Sequence, residues 1–398
     1  MERQPVIDEL IRELCPDGVN FSPIEDCAYL LMGTSPDGIT ITQDKTQGME
    51  FHQGKTYFGN IILKKSSMYT ICPIKIADSG SVIMSVRAPV GDVNISDRSI
   101  AIGRGLCAIN GKTGLDNKFI YYYICSRKNI FIEKSNGSTF TAINTNDIKH
   151  IRIPVPPLPV QKEIVRILDS FTELEAELEA ELEARKKQYD YYKNQLLNFD
   201  GRSDVEWKSL GEVVFYSKES GEVSDITLSN YVSVENLLPN RKGKVNALVI
   251  PNISHVKGYH INDILLGNIR PYLQKIWFSN GYGYTNGDVL ILRIRIAYKE
   301  IIIPRFLYCV IASEKFFLYD TQYSKGAKMP RGDKSMIMQY KIPIPPIEEQ
   351  KRIVSILDQF DTLVNDISKG LPAEIEARRR QYEYYRDRLL TFKEIHHE

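Results

Sequence analysis

The sequence predicts an α+β protein in which two globular units are joined by two long antiparallel coiled-coil helices, with a pseudo-twofold internal repeat. Three observations predict it. First, a helical stretch occurs twice: RIPVPPLPVQKEIVRILDSFTELEAELEAELEARKKQYDYYKNQLLNF over residues 152–199, and KIPIPPIEEQKRIVSILDQFDTLVNDISKGLPAEIEARRRQYEYYRDRLLTF over 341–392. The copies share a P-x-P-P lead-in, a Q-K-x-I-V-x-I-L-D-x-F start and an E-A-R…Q-Y-x-Y-Y end. Second, the stretches before the two copies match only faintly, yet follow one order of strand and helix signals. Third, apolar residues in both copies recur at spacings of three, four or seven, the pattern of a seam between paired helices. The expected division is a first globular unit with an N-terminal helical stub at 1–153 and a central arm at 154–200. A second globular unit follows at 201–342, and a C-terminal arm at 343–398.

Taken in order, residues 10–14 close a short helix that Pro16 and Gly18 stop. This stub is expected to stand in for the last turn of an arm, which the first unit otherwise lacks. V-N-F-S-P-I-E-D (19–26) aligns with V-E-W-K-S-L-G-E (205–212), each opening a unit. SVIMSVRAPVGDVNI, NYVSV and DVLILRIRI are β-branched runs punctuated by Gly, Pro, Asn and Asp, and read as strands. I-M-S-V-R-A-P (83–89) resembles L-L-G-N-I-R-P (265–271), each a buried strand delivering an Arg to a Pro-containing turn. Helical segments KFIYYYICS and PRFLYCVIAS follow. The polar loops KSNGSTFTAINTNDIK and QYSKGAKMPRGDKS then close the units.

In the arms, Pro154, Pro156 and Pro157, like Pro343, Pro345 and Pro346, enforce an extended lead-in. The first seam is Leu168, Phe171, Leu174, Leu178, Leu182, Tyr189, Tyr192, Leu196 and Phe199. The second is Leu357, Phe360, Leu363, Ile367, Ile375, Tyr382, Tyr385, Leu389 and Phe392. The copies drift apart by four residues around Ser368-Lys369-Gly370-Leu371-Pro372, where Gly and Pro break or kink the second helix.

Composition narrows the function classes. The chain has 398 residues, 43% hydrophobic and 25% charged. Charge interrupts every apolar stretch well short of a membrane span. The charged N-terminus lacks an apolar signal core, so a cytoplasmic location is expected. Six cysteines without a C-x-x-C pair and six histidines without zinc-ligand spacing predict reduced core thiols and no metal. The net charge of +1 averages unlike parts. Residues 201–340 carry eighteen basic and thirteen acidic side chains, residues 1–150 sixteen of each, and both arms are slightly acidic. The second unit is therefore the better anion binder.

The doubled P-x-P-P and Q-K-x-I-V-x-I-L-D-x-F arm around two variable units resembles the specificity subunit of Type I restriction-modification systems, over essentially the whole chain. The Glu-Leu-Glu-Ala run (173–184) is similar to that family's tetrapeptide repeats, and D-E-L-I-R-E-L-C-P-D-G-V to its start. The resemblance implies that the globular units are target recognition domains, each reading one half of a split site in double-stranded DNA. It implies that the arms are spacer and docking surface for two methyltransferase subunits and, through them, restriction subunits. It further implies a chain without catalysis or cofactor of its own, S-adenosylmethionine, ATP and Mg being the partners'. The alternative class is a coiled-coil adaptor whose globular units bind proteins without DNA specificity.

No motif argues for chemistry. Gly48–Thr56 misses a phosphate-binding loop by one residue of spacing and precedes YFGNIIL rather than a helix. Asp116-Asn117-Lys118 is only a fragment of a nuclease pattern. Candidate DNA contacts come instead from the polar loops and Arg-Pro turns, because Arg and Lys suit guanine and phosphate, Asn and Gln suit adenine, and Ser and Thr either. In the first unit they are Gln53, Lys55, Arg87, Lys134, Ser138, Thr139, Thr141 and Asn144. In the second they are Arg270, Tyr272, Lys275, Lys325, Lys328, Arg331 and Lys334.

Overall fold

In a computed structural model, which describes residues 4–135, 142–250, 255–365 and 369–395, the chain divides into two compact units. One is Met1–Ala180 with Glu374–Glu398, the other Glu181–Ala373. Each unit thus takes the beginning of its own arm and the end of the other.

The first unit is organised around a four-stranded antiparallel sheet in the order Ala28–Met32, Leu106–Gly111, Val82–Ser85, Val93–Ile95. Ala108 lies opposite both Leu31 and Ile83. A second sheet joins Ile41–Thr42, Tyr69–Thr70, Met49–His52, Ile100–Ile102 and Ile76–Ala77. Helix Asn117–Ser126 starts where Asp116 accepts from the Lys118 and Phe119 amides. Its residues Phe119 to Ile124 are buried all round, so both faces are covered. The core joins Val82, Met84 and Ile109 of the sheet to Phe119, Tyr122 and the arm residues Val160, Ile164 and Leu168.

The second unit repeats the framework. Val214–Tyr216, Val289–Ile294, Ile264–Gly267 and Ile276–Phe278 form a sheet of the same order, again antiparallel. Helix Pro304–Ile311 takes the place of Asn117–Ser126. Its other sheet differs: four strands, Ser220–Gly221, Val256–Tyr259, Gly283–Thr285 and Tyr231–Val232, against five in the first unit. The frameworks match and the second sheets diverge.

The repeated arm signature has a packing reason. Gln161 is fully buried; its side-chain oxygen accepts the Asp116 N–H at 2.8 Å, and its amide donates to the Gly114 and Pro156 carbonyls at 2.7 and 2.6 Å. Gln350 does the same, accepting from the Ile303 N–H at 2.9 Å and donating to Ile301 and Pro345 at 2.9 and 2.8 Å. Eight residues on, Asp169 accepts from Lys118 and Tyr122, and Asp358 from Arg305. Gln and Asp thus fasten each arm to its own unit.

The central arm is one helix, Leu158–Leu196, with Pro159 tolerated in its first turn. The second arm is two, Ile347–Asn365 and Leu371–Leu389, divided where the Gly-Pro insertion lies. Within the first unit, Phe171 stacks on Tyr385 (5.4 Å) and meets Tyr382 edge-on (6.4 Å). In the second, Phe360 stacks on Tyr192 (5.8 Å) and lies 6.2 Å from Tyr189. Arg379 bonds Glu175 and Glu179 at 2.5 and 2.6 Å. Because 171 meets 385 while 175 and 179 meet 379, the paired helices run antiparallel. Leu168, Leu178, Leu357, Ile375 and Leu389 are buried, Leu174, Leu182 and Leu196 half-buried, and Leu363 and Tyr192 are about two-fifths exposed. Ile367 lies outside the described residues.

The N-terminal stub corrects an expectation. Helix Gln4–Leu14 does bury Ile7 in the first unit's core. The place of the missing arm end, however, is held by the second arm itself. Phe392 lies 6.4 Å from Phe119, as Phe199 lies 6.2 Å from Phe306. The Val19 N–H donates to Lys393 O at 2.8 Å, and the Ile395 N–H to Val19 O at 3.1 Å. Antiparallel pairing delivers a true arm end there, so no substitute is required.

Candidate nucleic-acid interface

In the first unit, strands Met49–His52 and Ile100–Ile102 run parallel, so the loops that follow them leave the sheet side by side. Gly54 and Gly105 turn at φ +60° and +92°. A Cβ on Gly105 would sit 3.7 Å from both Arg87 Cδ and Gly54 Cα, so three chain segments converge there. The Ser35 hydroxyl donates to Gln53 Oε1 at 2.9 Å and accepts from the Arg104 amide and Nε at 3.0 and 3.4 Å. Ala142 bridges to Arg87, and the Ile143 N–H donates to Val86 O. Gln53, Arg87 and the end of the polar loop are therefore brought together. Arg104 belongs with them; its signal was an exposed Arg between two glycines at a strand turn.

Other candidates of this unit are committed elsewhere. Lys55 binds Asp92 at 2.9 Å, and Lys128 holds the same carboxylate. Burial pushes the Asp92 carboxyl up, but the two lysines outweigh it and leave it below its ordinary value. Asn144 caps helix Thr145–Lys149, accepting from the Asp147 N–H at 2.9 Å. Lys134 is exposed beyond helix Lys128–Glu133. Ser138, Thr139 and Thr141 lie outside the described residues.

Beneath this surface a buried network steadies strand Met49–His52. Glu50 accepts from the Arg98 fork at 2.6 and 2.7 Å, from the Ser66 N–H at 2.6 Å and from His52. Burial opposes the charge, yet these donors bring the Glu50 carboxyl to about 2. Burial pushes His52 down, which favours a neutral ring.

In the second unit, Arg270 and Gln274 flank the turn Pro271–Leu273 with left-handed φ of +53° and +52°. Non-glycine residues hold that conformation at roughly 1–2 kcal/mol each. Here backbone bonds maintain it: Arg270 N–H to Pro330 O (2.7 Å), Leu273 N–H to Arg270 O (2.9 Å) and Arg241 N–H to Gln274 O (2.9 Å). Ile269 and Lys325 each bridge to Arg331, so the Arg-Pro turn and the closing loop form one platform. The Arg270 guanidinium has no hydrogen-bond or ion-pair partner among the described residues, and Tyr272 is exposed beside it. Arg331 is held by Asp288 at 3.0 Å and Lys325 by Asp333 at 2.5 Å; Lys328 is exposed.

Lys275 is turned into the fold, where its ammonium donates to Val234 O at 2.6 Å and burial lowers its pKa. Lys334 gains company that the sequence does not announce. Lys257 is shifted down by burial and then by the charges of Lys334 and Lys218, so three lysines from distant segments share one patch. Beside the platform is a cavity of about 720 Å³, lined in part by Arg270, Asn286, Asp288, Leu248 and Val249.

The motifs set aside in the sequence have structural roles. Residues 49–52 form a strand and a turn follows; Asp116 is a helix cap, and Lys118 pairs with Asp169 at 2.6 Å. Among the described residues no group of three or more His, Cys, Asp or Glu is placed to hold a metal ion. No helix among them is long and apolar enough to cross a membrane.

Comparison with known proteins agrees with this architecture. The model of the Type I restriction modification DNA specificity domain matches twice, over residues 50–184 and 204–377. The Type I restriction enzyme EcoR124I/EcoR124II specificity subunit of Escherichia coli is 34% identical over 292 residues, 69% of this chain and 70% of its own length. The type I specificity subunit S.HindORF215P of Haemophilus influenzae is 32% identical over 311 residues, 71% of this chain and 74% of its own. The crystal structure of the Type I restriction-modification S subunit from M. genitalium shares the fold with a TM-score of 0.56 at 17% identity, over 94% of this chain and 96% of that one. With two framework sheets, two arms and a family model that matches twice, the chain belongs to the family of Type I restriction-modification DNA specificity subunits.

Proposed function

We propose that the two units read two different halves of a bipartite, asymmetric DNA site, and that the arms dock two methyltransferase subunits and, through them, restriction subunits. The chain itself carries out no reaction; S-adenosylmethionine, ATP and Mg belong to the partners, in the cytoplasm. The observation that carries this reading is the contrast between a shared framework sheet and divergent second sheets and loops. Identical frameworks hold the readers alike, while different loops present different side chains. At ~1.5 Å per residue the 39-residue central helix is ~58 Å long, more than one ~34–36 Å turn of DNA. Sequencing of methylated bases in a host carrying the system tests it. A two-part motif with unread bases between is expected; a continuous or palindromic motif contradicts it. No DNA preference in any assembly leaves the protein-binding adaptor.

Two predictions refine the reading. Arg270→Ala is expected to relax one position of the second half-site by roughly 1–3 kcal/mol, about 5- to 150-fold in affinity. Lys328→Ala is expected to weaken all sequences alike and to reduce the salt slope by about one. Binding titrations across single-base substitutions and salt distinguish the two patterns, and equal effects from both variants would remove Arg270 as a base reader.

The second prediction concerns the Glu-Leu-Glu-Ala run, which lies inside the unbroken helix with Glu175 and Glu179 on Arg379. One added unit lengthens the helix by ~6 Å and rotates it by only ~40°, a stutter the seam absorbs by local unwinding. The unread spacer is expected to grow by about one base pair, with both half-sites unchanged. Methylation mapping of the insertion strain reads this directly; an unchanged spacer at full activity means the arm is no ruler.

A further inference from the structure

Behind the Arg270–Arg331 platform sits an acid with no partner. Asp320, on helix Glu314–Gln322, is 1% exposed, and neither of its carboxyl oxygens has a hydrogen-bond partner among the described residues. The side-chain oxygen of Asn268, 6% exposed, is likewise unpartnered. The two oxygens come together against the Cα of Gly332. A Cβ built on Gly332 would meet Asp320 Oδ1 at 2.4 Å and Asn268 Oδ1 at 2.9 Å. Gly332 itself donates its N–H to Asn268 O at 3.1 Å, and Asn268 donates its own to Asp288 O. The orphaned oxygens therefore lie at the junction of the strand end before Arg270, the loop after Arg331 and the helix packed on the Pro271–Leu273 turn.

Acceptors cannot satisfy one another without a proton between them, and each buried orphan costs on the order of 1–3 kcal/mol. No cation supplies the need. Arg331 is held by Asp288 and Lys325 by Asp333, and Asp320 has no ion-pair partner among the described residues. Two titratable groups are linked to it: Tyr216, from strand Val214–Tyr216, feels its charge, and Asp333, which caps helix Lys334–Gln339, acts on the same tyrosine. Burial pushes Tyr216 up first, and the charges of Asp320 and Asp333 then add to it.

We propose that Asp320 is a positioning residue for the second half-site: as a neutral acid it donates its proton to Asn268 Oδ1, locking its helix to the segments that carry Arg270 and Arg331. This rests on the reading of the second unit as a DNA reader. Burial pushes the Asp320 carboxyl up to about 7, so the lock operates near neutrality. A carboxyl raised in the folded chain binds a proton that the unfolded chain has released. Stability conferred by the neutral form is therefore lost as pH rises from about 4, the ordinary carboxylate value, to about 7.

The test is binding of the full chain, in complex with its methyltransferase subunits, to duplexes with the intact site and with either half-site scrambled, at pH 6.5 and 8.0. If only the neutral form positions the platform, apparent affinity scales with its population, and wild-type discrimination of the second half-site falls about eight-fold. Asp320→Asn donates an amide hydrogen at every pH and is expected to keep the low-pH affinity at both; discrimination of the first half-site does not change. Gly332→Ala is expected to mimic the high-pH state throughout. Parallel pH profiles for wild type and Asp320→Asn overturn the proposal, as would follow if an ionised Asp320 accepted from a turned Asn268 amide. If Asp320→Asn does not fold, Asn268→Ala removes the acceptor from the other side and must abolish the pH dependence. Failure to discriminate the second half-site at either pH would instead strike at the DNA-reading assignment.

Discussion

Gln350→Leu is expected to be among the most destabilising single substitutions in the second unit, with Gln161→Leu its counterpart in the first. Each leucine fills the site but leaves one backbone N–H and two carbonyls without the partner that the glutamine supplied. At ~1–3 kcal/mol for each stranded group, the loss is on the order of 3–9 kcal/mol, a large part of a typical ~5–15 kcal/mol total. For units of this size that lowers the melting temperature by roughly 10 °C or more. Lys351→Ala, on the exposed next residue, is expected to stay within about 0.5 kcal/mol. Thermal unfolding of the purified chain compares them, and a Gln350→Leu loss under ~1 kcal/mol would mean the glutamine is not the fastening.

Replacing residues 201–340 with the corresponding unit of another family member is expected to rewrite one half-site completely and leave the other untouched. The exchanged segment carries the whole second framework sheet, its divergent partner sheet and the Arg270–Arg331 platform. The fastening partner Gln350 and the seam residues lie outside it, so the graft meets the same anchor. The Ile301 and Ile303 groups that Gln350 binds come with the donor, but they are backbone atoms and depend on loop shape rather than side-chain identity. Methylation mapping of the chimera decides the matter: a change in both half-sites would show that the readers are not independent.

The arms are legible in the sequence because a helix writes its contacts locally. A seam residue recurs every three or four positions whatever it faces, and duplication prints the pattern twice. The break at Gly370 and Pro372 is legible for the same reason. The framework strands are legible as apolar runs, since burial on both faces of Val82–Ser85 and Ile264–Gly267 leaves little room for polar side chains. The reading surfaces are much less so. Arg104 joins Gln53 only because two strands about 50 residues apart lie parallel, and Lys218 and Lys334 come near enough to act on Lys257 only once segments distant in sequence have folded together. Conversely, Lys275 and Asn144 have the chemistry of DNA contacts, yet the fold employs them for a carbonyl and a helix cap. Residue type tells what a side chain can bond, and long-range pairing decides what it does bond. The stub's role is illegible for the same reason: the segment that fills its expected place lies almost four hundred residues away along the chain.

That last pairing has a consequence for synthesis. The second unit is one continuous piece of chain, Glu181–Ala373, whereas the first needs Glu374–Glu398 for completion. On a ribosome the order of appearance and the order of completion are therefore inverted. The first domain to emerge waits, with Leu168 and Phe171 unpaired, while roughly two hundred further residues are made, and loop closure of that length adds only slowly to its entropic cost. Meanwhile the later domain folds as a contiguous block. A chain cut short before Leu389 lacks Leu389, Leu390 and Phe392 from the first core. Completion of the first unit thus follows, rather than precedes, that of the second.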